Sequence, residues 1–238
     1  INDSIFSGKK KNQGEIMKTL RGAKNSTVKL GVQRGNSPEL LYFDVTRGDV
    51  PVNSVDVSYE AAKGIGYIKV SKFARNTYNE FITAIAKLKQ AGCTSFVIDL
   101  RGNTGGYMDA AINMINEFMP EGRLIVYTEG KSFPRSDVYA NGTGTCKDAP
   151  IVVLTDEISA SASEIFSGAI QDNDRGTIIG RRTYGKGLVQ TQMSLSDGSE
   201  MRLTIARYYT PSGRCIQKKY EMGNTDAYDQ DIYNRYMH

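Results

Sequence analysis

Residues 95–119, which read SFVIDLRGNTGGYMDAAINMINEFM, decide the fold of this chain. The apolar run over 95–100 is typical of a buried strand, and the pattern over 108–119 is typical of a helix. The glycine-rich segment between them, residues 101–106, predicts a tight turn. This stretch therefore predicts a strand that leads through a turn into a helix.

The same order of strand and helix continues on both sides of this unit. Strand 66–70 precedes helix 78–90, strand 123–127 follows the quoted stretch, and strand 151–154 leads into helix 160–172. Strands that alternate with helices require crossover connections between parallel strands. We therefore predict an α/β fold with a largely parallel sheet that helices cover.

The two ends of the chain depart from this pattern. Strands 188–195 and 200–209 flank the turn sequence Ser196-Asp197-Gly198-Ser199, which predicts a β-hairpin. Residues 1–50 predict a small unit of one helix over 15–20 and two strands, over 27–32 and 40–45. This unit has few residues for an independent core. Residues from 218 onward show no periodic pattern.

The composition excludes several classes of protein. With 238 residues, 39% of them hydrophobic, the chain is long enough for one large domain or two small ones. Its net charge of +4 is spread along the chain apart from the cluster Lys9-Lys10-Lys11, so it is a weak argument for nucleic acid binding. No run approaches the roughly 18 apolar residues of a membrane span. The chain begins at Ile1 without a signal-peptide pattern, which predicts a processed or excised piece.

The scarce residue types limit the chemistry further. The single histidine is His238, so a Ser-His-Asp triad, a Cys-His pair or a histidine zinc site lacks an internal imidazole. The three cysteines have no C-x-x-C spacing, which argues against a disulfide framework and a thiolate metal cage. Residues 99–106 match neither G-x-x-x-x-G-K-[ST] nor a full G-x-G-x-x-G. We expect no metal and no cofactor, and a hydrolase would need a base other than histidine.

Two strand-to-helix junctions are candidate sites, because the amino termini of helices present unpaired N–H groups to negative charge. They are residues 99–106 and residues 159–164, which read SASASE. A serine at the second junction would have N–H groups nearby to receive the oxyanion formed when its hydroxyl attacks a carbonyl. The alternative is a capping box made by Ser161 and Glu164, and serines before helices are more often caps than nucleophiles. Spacing alone does not decide between the three serines.

With histidine excluded, the candidate base is Lys186, which has a glycine on each side. A lysine acts as a base near neutral pH only when burial lowers its pKa from about 10.4, so it requires a dry pocket. The alternative is an exposed turn with a solvated lysine. Among the carboxylates, Asp99 is expected to pair with Arg101, and Asp172 is expected to be a helix-end carboxylate rather than a catalytic one.

Five segments in one order resemble the C-terminal processing peptidases, a family of Ser-Lys peptidases also called tail-specific proteases. The segments are GYI at 66–68, DLRGNTGG at 99–106, SASASEIFSGAIQDN at 159–173, TYGKG at 183–187 with VQ at 189–190, and LTIARYYTPSG at 203–213. The resemblance covers about residues 64–217. It implies an α/β catalytic core that is a ββα spiral of the crotonase and Clp-protease type.

The resemblance also implies a role for individual residues. Ser161 matches the family's nucleophile, Lys186 its general base, and Gln190 the residue that helps to orient the lysine. The N–H groups of Ala162 and of the Gly105-Gly106 turn match its oxyanion hole.

In that family a PDZ domain, which gates the core and recognises the C-termini of substrates, precedes the catalytic part. Residues 1–48 resemble only the second half of such a domain, and they are followed by a catalytic domain over 49–217 and an extension over 218–238. The resemblance implies protein or peptide substrates held by their C-terminal tails, no nucleic acid partner, and a bacterial envelope or periplasmic location. It leaves the oligomeric state open.

Three functions stay open at this point. The first is a metal-independent serine endopeptidase with a Ser161-Lys186 dyad that works through an acyl-enzyme. The second is a catalytically idle or gated peptide-binding module of the same fold, in which the lysine is out of reach of the serine. The third is a crotonase-type acyl-thioester enzyme, for which we locate no coenzyme A pocket. The distance between the Lys186 amine and the Ser161 hydroxyl distinguishes the first two.

Overall fold

The structure is a computed structural model, and it describes residues 1–2, 4–6, 12–35, 37–49, 52–220, 223 and 225–237. The cluster Lys9-Lys10-Lys11 and His238 lie outside the described residues. The chain divides into two compact units, residues 1–52 and residues 53–238. No described helix is both long enough and apolar enough to cross a bilayer.

The first unit contains the helix and the two strands that the sequence predicts. They are α1 (Gln13–Leu20), β1 (Thr27–Gln33) and β2 (Leu40–Thr46), and the two strands pair antiparallel. Arg47 donates hydrogen bonds to Leu20 O at 2.7 Å and to Ser26 Oγ at 2.9 Å. Val28 is the one buried apolar residue among those described in this unit. The unit therefore has almost no core of its own, as its length suggests.

The second unit is a mixed α/β structure. In chain order its elements are β3 (Val55–Ala62), β4 (Ile65–Val70), α2 (Thr77–Gln90), β5 (Ser95–Asp99), α3 (Met108–Asn116), β6 (Leu124–Glu129), β7 (Ser136–Tyr139), β8 (Ile151–Thr155), α4 (Ala162–Asp172), β9 (Thr177–Gly180), β10 (Leu188–Ser194), β11 (Glu200–Tyr209) and α5 (Thr225–Met237). One sheet has the strand order β3-β4-β5-β8-β9, in which β4, β5, β8 and β9 are parallel and β3 is antiparallel. The predicted α/β class and the predicted hairpin, β10 with β11, are confirmed.

The strand predicted over 123–127 is present as β6, but it does not join the parallel sheet. It lies in a second, antiparallel sheet of order β10-β11-β6-β7. The reason is that β7 follows β6 directly and pairs with it, so no helix crosses back to the first sheet. The predicted largely parallel sheet therefore consists of β4, β5, β8 and β9, without β6. The sequence also missed β3, β7, β9 and α5.

The core of the second unit fixes the position of α4. Phe118 is central, because Phe81, Phe96 and Phe166 pack edge-to-face around it with ring centroids 6.1 to 6.5 Å away. Burial of a phenylalanine side chain contributes roughly 2–3 kcal/mol. These contacts anchor α4 through Phe166 against α2 and β5, which makes the start of α4 a rigid place in the molecule.

Candidate active site

The two strand-to-helix junctions meet at the carboxyl ends of β5 and β8, which are neighbouring parallel strands. Asn103 joins them, because its carbonyl oxygen accepts from Ala160 N–H at 3.0 Å and from the Ser163 hydroxyl at 2.9 Å. The buried Asn103 side chain in turn donates to Val70 O and accepts from Gly105 N–H at 2.8 Å. The carboxyl edge of a parallel sheet is where α/β proteins bind ligands. The sequence did not single out Asn103, whose partners are distant along the chain.

Gly105 lies directly against Ser161. A Cβ atom on Gly105 would be 2.8 Å from Ser161 Cβ and 2.7 Å from Ala160 O, and the φ angle of Gly105 is +98°. Gly106, with a φ of +145°, is equally closed, because a Cβ there would be 2.0 Å from Phe73 O. Both glycines are therefore required by close backbone approach and by their conformation. The structure brings these two residues together with Ser161.

Ser161 has a strained backbone. Its φ is +56° and its ψ is −112°, so the helix begins at Ala162 and not at the predicted residue 160. A non-glycine residue in such a region costs of order 1–3 kcal/mol, and such strain clusters at functional sites. Both halves of the predicted capping box are present: Ser161 N–H donates to Glu164 Oε2 at 2.8 Å, and the Ser161 side chain faces the Glu164 N–H. Ser161 itself is half-buried.

Two N–H groups near this serine are unoccupied. In the part of the chain that the structure describes, the N–H groups of Gly106 and Ala162 donate to no protein acceptor. The N–H of Gly105 differs, because it donates to the Asn103 side chain. Of the three residues predicted to form an oxyanion hole, two therefore have a free N–H donor. The third, Gly105, instead allows the backbone to pass close to Ser161.

Glu164 is the functional residue whose role the sequence did not reveal beyond a cap. Its side chain is 5% exposed. Besides Ser161 N–H, it accepts from Lys186 N–H at 2.8 Å, from Gly185 N–H at 2.6 Å and from the Thr183 hydroxyl at 2.7 Å. Ser161 N and Lys186 N both bind Oε2, so these two nitrogens are no farther apart than twice 2.8 Å. One carboxylate thus brings the predicted nucleophile and the predicted base to the same place.

The side chain of Lys186 is exposed, so the dry pocket that a neutral lysine requires is not built around it here. Among the described residues, no hydrogen bond joins Lys186 Nζ to the Ser161 hydroxyl. Gln190 is also exposed, and its Nε2 donates to Thr204 Oγ1 at 3.4 Å rather than to Lys186. The physical reason is that the loop runs from β9 into the exposed β10–β11 hairpin. The predicted base is therefore brought near the serine by its backbone, while its amine faces solvent.

Asp99 forms the ion pair that the sequence predicts, with Arg101 Nη2 at 2.7 Å. Burial raises the pKa of the Asp99 carboxyl, but hydrogen bonds from Arg101 and Tyr67 and the charge of Lys69 outweigh burial and hold the pKa at about 2. Burial and the bond to Asp99 raise the pKa of Tyr67 to about 12. Asp172 accepts from the Ser212 hydroxyl at 2.6 Å, in keeping with its predicted place at a helix end. These carboxylates are held by structural partners.

A cavity of about 560 Å³ lies behind the Lys186 loop. Its lining includes Glu164, Gly185, Arg214 and Arg235, but neither Ser161 nor Lys186. No group of three or more His, Cys, Asp and Glu side chains within the described ranges is arranged to hold a metal ion. The backbone N–H groups of Gly106 and Ala162, which have no protein acceptor among the described residues, are the kind of donor that suits a developing oxyanion.

The chain is similar to known proteins over most of its length. The model of peptidase family S41 matches residues 64–226. The carboxyl-terminal-processing protease of Synechocystis sp. is 36% identical over 207 residues, which are 86% of this chain and 48% of that protein. The protein of the same name from Picosynechococcus sp. is 36% identical over 206 residues, 86% of this chain and 49% of that protein.

Among solved structures, the photosystem II D1 C-terminal processing protease superposes with a TM-score of 0.65 at 33% identity, over 82% of this chain and 54% of that one. The chain thus spans about half the length of the relatives that it matches.

Proposed function

The chain belongs to peptidase family S41, and we propose that its second unit is a serine endopeptidase core that cleaves proteins or peptides near their C-termini. The proposal assigns Ser161 as the nucleophile and Lys186 as the general base. Relatives named for carboxyl-terminal processing support this substrate class. The observation that carries the proposal is the strained backbone of Ser161, which lies against Gly105 and has the neighbouring N–H groups of Gly106 and Ala162 without a protein acceptor among the described residues.

In the proposed reaction, neutral Lys186 takes the proton of the Ser161 hydroxyl while the oxygen attacks the scissile carbonyl carbon. The resulting oxyanion accepts hydrogen bonds from Gly106 and Ala162, a type of stabilisation typically worth about 3–4 kcal/mol per donor. The lysine then returns the proton to the leaving amine, and an acyl-enzyme remains on Ser161. Water hydrolyses the ester by the same proton transfers in reverse order.

The exposure of Lys186 supports the proposal that the described arrangement is a resting form of this site. A bound peptide that covers the lysine would supply the dry surroundings that the proposed general base requires. Gln190 is proposed to orient the lysine in that form, at the expense of its 3.4 Å bond to Thr204. Residues 1–48 are proposed as the second half of a PDZ-like domain, residues 49–217 as the catalytic domain, and residues 218–238 as an extension. The proposed location is the bacterial cell envelope or periplasm.

The exposure of Lys186 also favours a second candidate, a gated or idle module that binds peptides without turnover. The test is cleavage of a fluorogenic peptide with an unstructured C-terminal tail. We expect Ser161→Ala and Lys186→Ala to lower kcat/KM by at least about 10²–10⁴-fold. Lys63→Ala is the matched control, since Lys63 is an exposed lysine that also precedes a glycine in a turn. Turnover that survives both active-site changes contradicts the mechanism. Peptide binding without any turnover by the unchanged chain supports the idle module.

A further inference from the structure

Residues 217 and 218 hold the Lys186 loop from the side opposite Glu164, and the proposed reaction does not use them. Lys218 N–H donates to Gly185 O at 2.9 Å. Gln217 Oε1 accepts from Gly187 N–H at 2.9 Å. A hydrogen bond from this segment therefore reaches the backbone on each side of Lys186.

The same segment explains why Lys186 has a glycine on each side. A Cβ atom on Gly185 would be 2.7 Å from Lys218 Cβ, and a Cβ atom on Gly187 would be 2.4 Å from Gln217 N. A side chain at either position would push the segment away from the loop. The two glycines are thus the contact surface for residues 217 and 218.

Helix α5 in turn holds this segment. Gln217 Nε2 donates to Tyr228 Oη at 3.1 Å. Lys218 Nζ, on a side chain that is 4% exposed, donates to Tyr228 O at 2.6 Å and lies 3.6 Å from the centre of the Tyr228 ring. Near the other end of the helix, Arg235 donates to Thr183 O in the loop. The helix therefore contacts both the Lys186 loop and the segment that supports it.

These contacts are polar. None of the α5 residues whose burial is described, 225–228 and 230–235, belongs to the buried apolar core. A hydrogen bond within the chain contributes only a small net free energy, since water replaces it when it breaks, and bonds from charged side chains such as Lys218 and Arg235 contribute more than neutral ones but are replaced by water in the same way. Elements held by such contacts open at lower free energy than core elements do. Helix α5 can therefore separate from the loop while α4 and Glu164 stay in place.

We propose that Gln217 is a positioning residue for the general base, and that α5 is a latch that sets the conformation of the Lys186 loop. The proposal rests on the proposed role of Lys186. With α5 docked, Gln217 and Lys218 bind the loop opposite Glu164. With α5 released, the loop keeps its bonds to Glu164 but loses its support at Gly185 O and Gly187 N–H.

The first experiment measures amide hydrogen exchange in the full chain and does not depend on turnover. Arg235→Gln removes the contact of α5 with the loop, and Arg202→Gln is the control, because Arg202 is an exposed arginine in the hairpin. We expect Arg235→Gln to raise exchange about tenfold at Gly187 and Lys218, with Gly185, Lys186 and residues 162–170 unchanged, because the Gly185 and Lys186 N–H groups donate to Glu164. Faster exchange of α5 with full protection of Gly187 and Lys218 overturns the latch.

The second experiment uses activity and the conservative rescue. Gln217→Leu leaves Gly187 N–H without an acceptor, whereas Gln217→Glu keeps one. We expect Gln217→Leu and Arg235→Gln to lower kcat about tenfold while KM changes less than about twofold, and Gln217→Glu to retain most of the kcat. If the unchanged chain turns over peptide and all three variants match it, the latch is wrong while the proposed peptidase stands. If the unchanged chain is inactive, the proposed function fails, and the exchange experiment alone decides the latch.

Discussion

Ser161 and Lys186 lie on either side of the Glu164 carboxylate, yet the surroundings of these two residues differ in burial and in the contacts that hold them. Every residue from Ala162 to Ile170 is buried, so the hydrophobic core places the serine. Lys186 is exposed and continues into a hairpin with exposed apolar side chains such as Leu188 and Met193. A few hydrogen bonds to its neighbours place the lysine. The comparison teaches that the position of Ser161, the proposed nucleophile, is set by folding itself, whereas the position of Lys186, the proposed base, depends on contacts that can change without unfolding.

The largest expected effect comes from the residue that both sides share. Glu164→Ala should lower the free energy of unfolding by about 4 kcal/mol, because each buried donor that is left without its acceptor costs about 1–3 kcal/mol. It should also abolish cleavage, since Ser161 and Lys186 both lose their common anchor. Glu164→Gln retains one acceptor oxygen and should be intermediate in both measurements. Urea denaturation and peptide cleavage test this, and a stable, active Glu164→Ala variant would refute the shared anchor.

Glycine substitutions compare the rigidity of the two sides. Gly105→Ala should cost about 3 kcal/mol, because the added methyl group meets the backbone at Ala160 O and the φ of +98° is unfavourable. Gly185→Ala should cost less, about 2 kcal/mol, although its φ of +91° is equally unfavourable, because the added methyl group meets Lys218 Cβ on a segment held by polar contacts that can move away as a whole. Gly102→Ala is the control for backbone conformation alone, with a φ of +72° and no atom within 4 Å. If Gly105→Ala and Gly185→Ala lower the free energy of unfolding equally in chemical denaturation, the surroundings of Ser161 and of Lys186 do not differ in rigidity.

Lowering the pH should reduce the free energy of unfolding through the carboxyl of Asp99, which lies at the end of β5 near the proposed nucleophile. The pKa of its carboxyl is about 2 in the folded state and 3.8 in the reference state, so its contribution is present above pH 3.8 and is lost as the pH falls toward 2. The expected loss is about 2 kcal/mol. Urea denaturation between pH 5 and pH 2.5 should show this decline in the unchanged chain and a shallower one in Asp99→Asn. If the two proteins lose stability equally as the pH falls, groups other than Asp99 cause the sensitivity to acid.

The smallest expected effect is a gain in stability rather than a loss. Ser161→Gly should raise the free energy of unfolding by about 1 kcal/mol, because glycine adopts a φ of +56° without strain. Cleavage should be lost, since the nucleophile is gone. Ser163→Gly, one residue inside α4, should instead lower stability, because it removes the hydroxyl bonded to Asn103 O and places glycine in a helix. Thermal unfolding measures both, and a destabilised Ser161→Gly protein would show that the serine is not strained.

Much of the fold was predictable because its signals are local. The strand-turn-helix units around 95–119 and 151–172 follow from apolar periodicity and from glycines next to helix starts. The hairpin follows from its turn sequence. The sheet that β6 joins was not predictable, since a strand after a helix can enter either sheet. Helix α5 was missed because its sequence has little apolar periodicity and its contacts are polar.

The candidate site, like the fold, has parts that the sequence predicted and parts that it did not. The family resemblance identified Ser161 and Lys186 as the proposed pair, and local sequence suggested a helix start at the serine. Glu164 as the common acceptor for both residues, Asn103 as the link between the junctions, and Gln217 against Gly187 were not visible in the sequence. The bonds of Ser163 to Asn103, of Lys186 to Glu164 and of Gly187 to Gln217 join residues that are 60, 22 and 30 positions apart.

The amino-acid sequence by itself determined the α/β class, the two glycine-rich junctions and the absence of an internal histidine, because these depend on residue type and on neighbours within a few positions. Only the tertiary structure decided that Gly105 touches Ser161, that Glu164 holds both sides of the site, and that the amine of Lys186 faces solvent. The physical reason is that burial and hydrogen-bond partners are set by packing between distant segments, which local patterns do not specify.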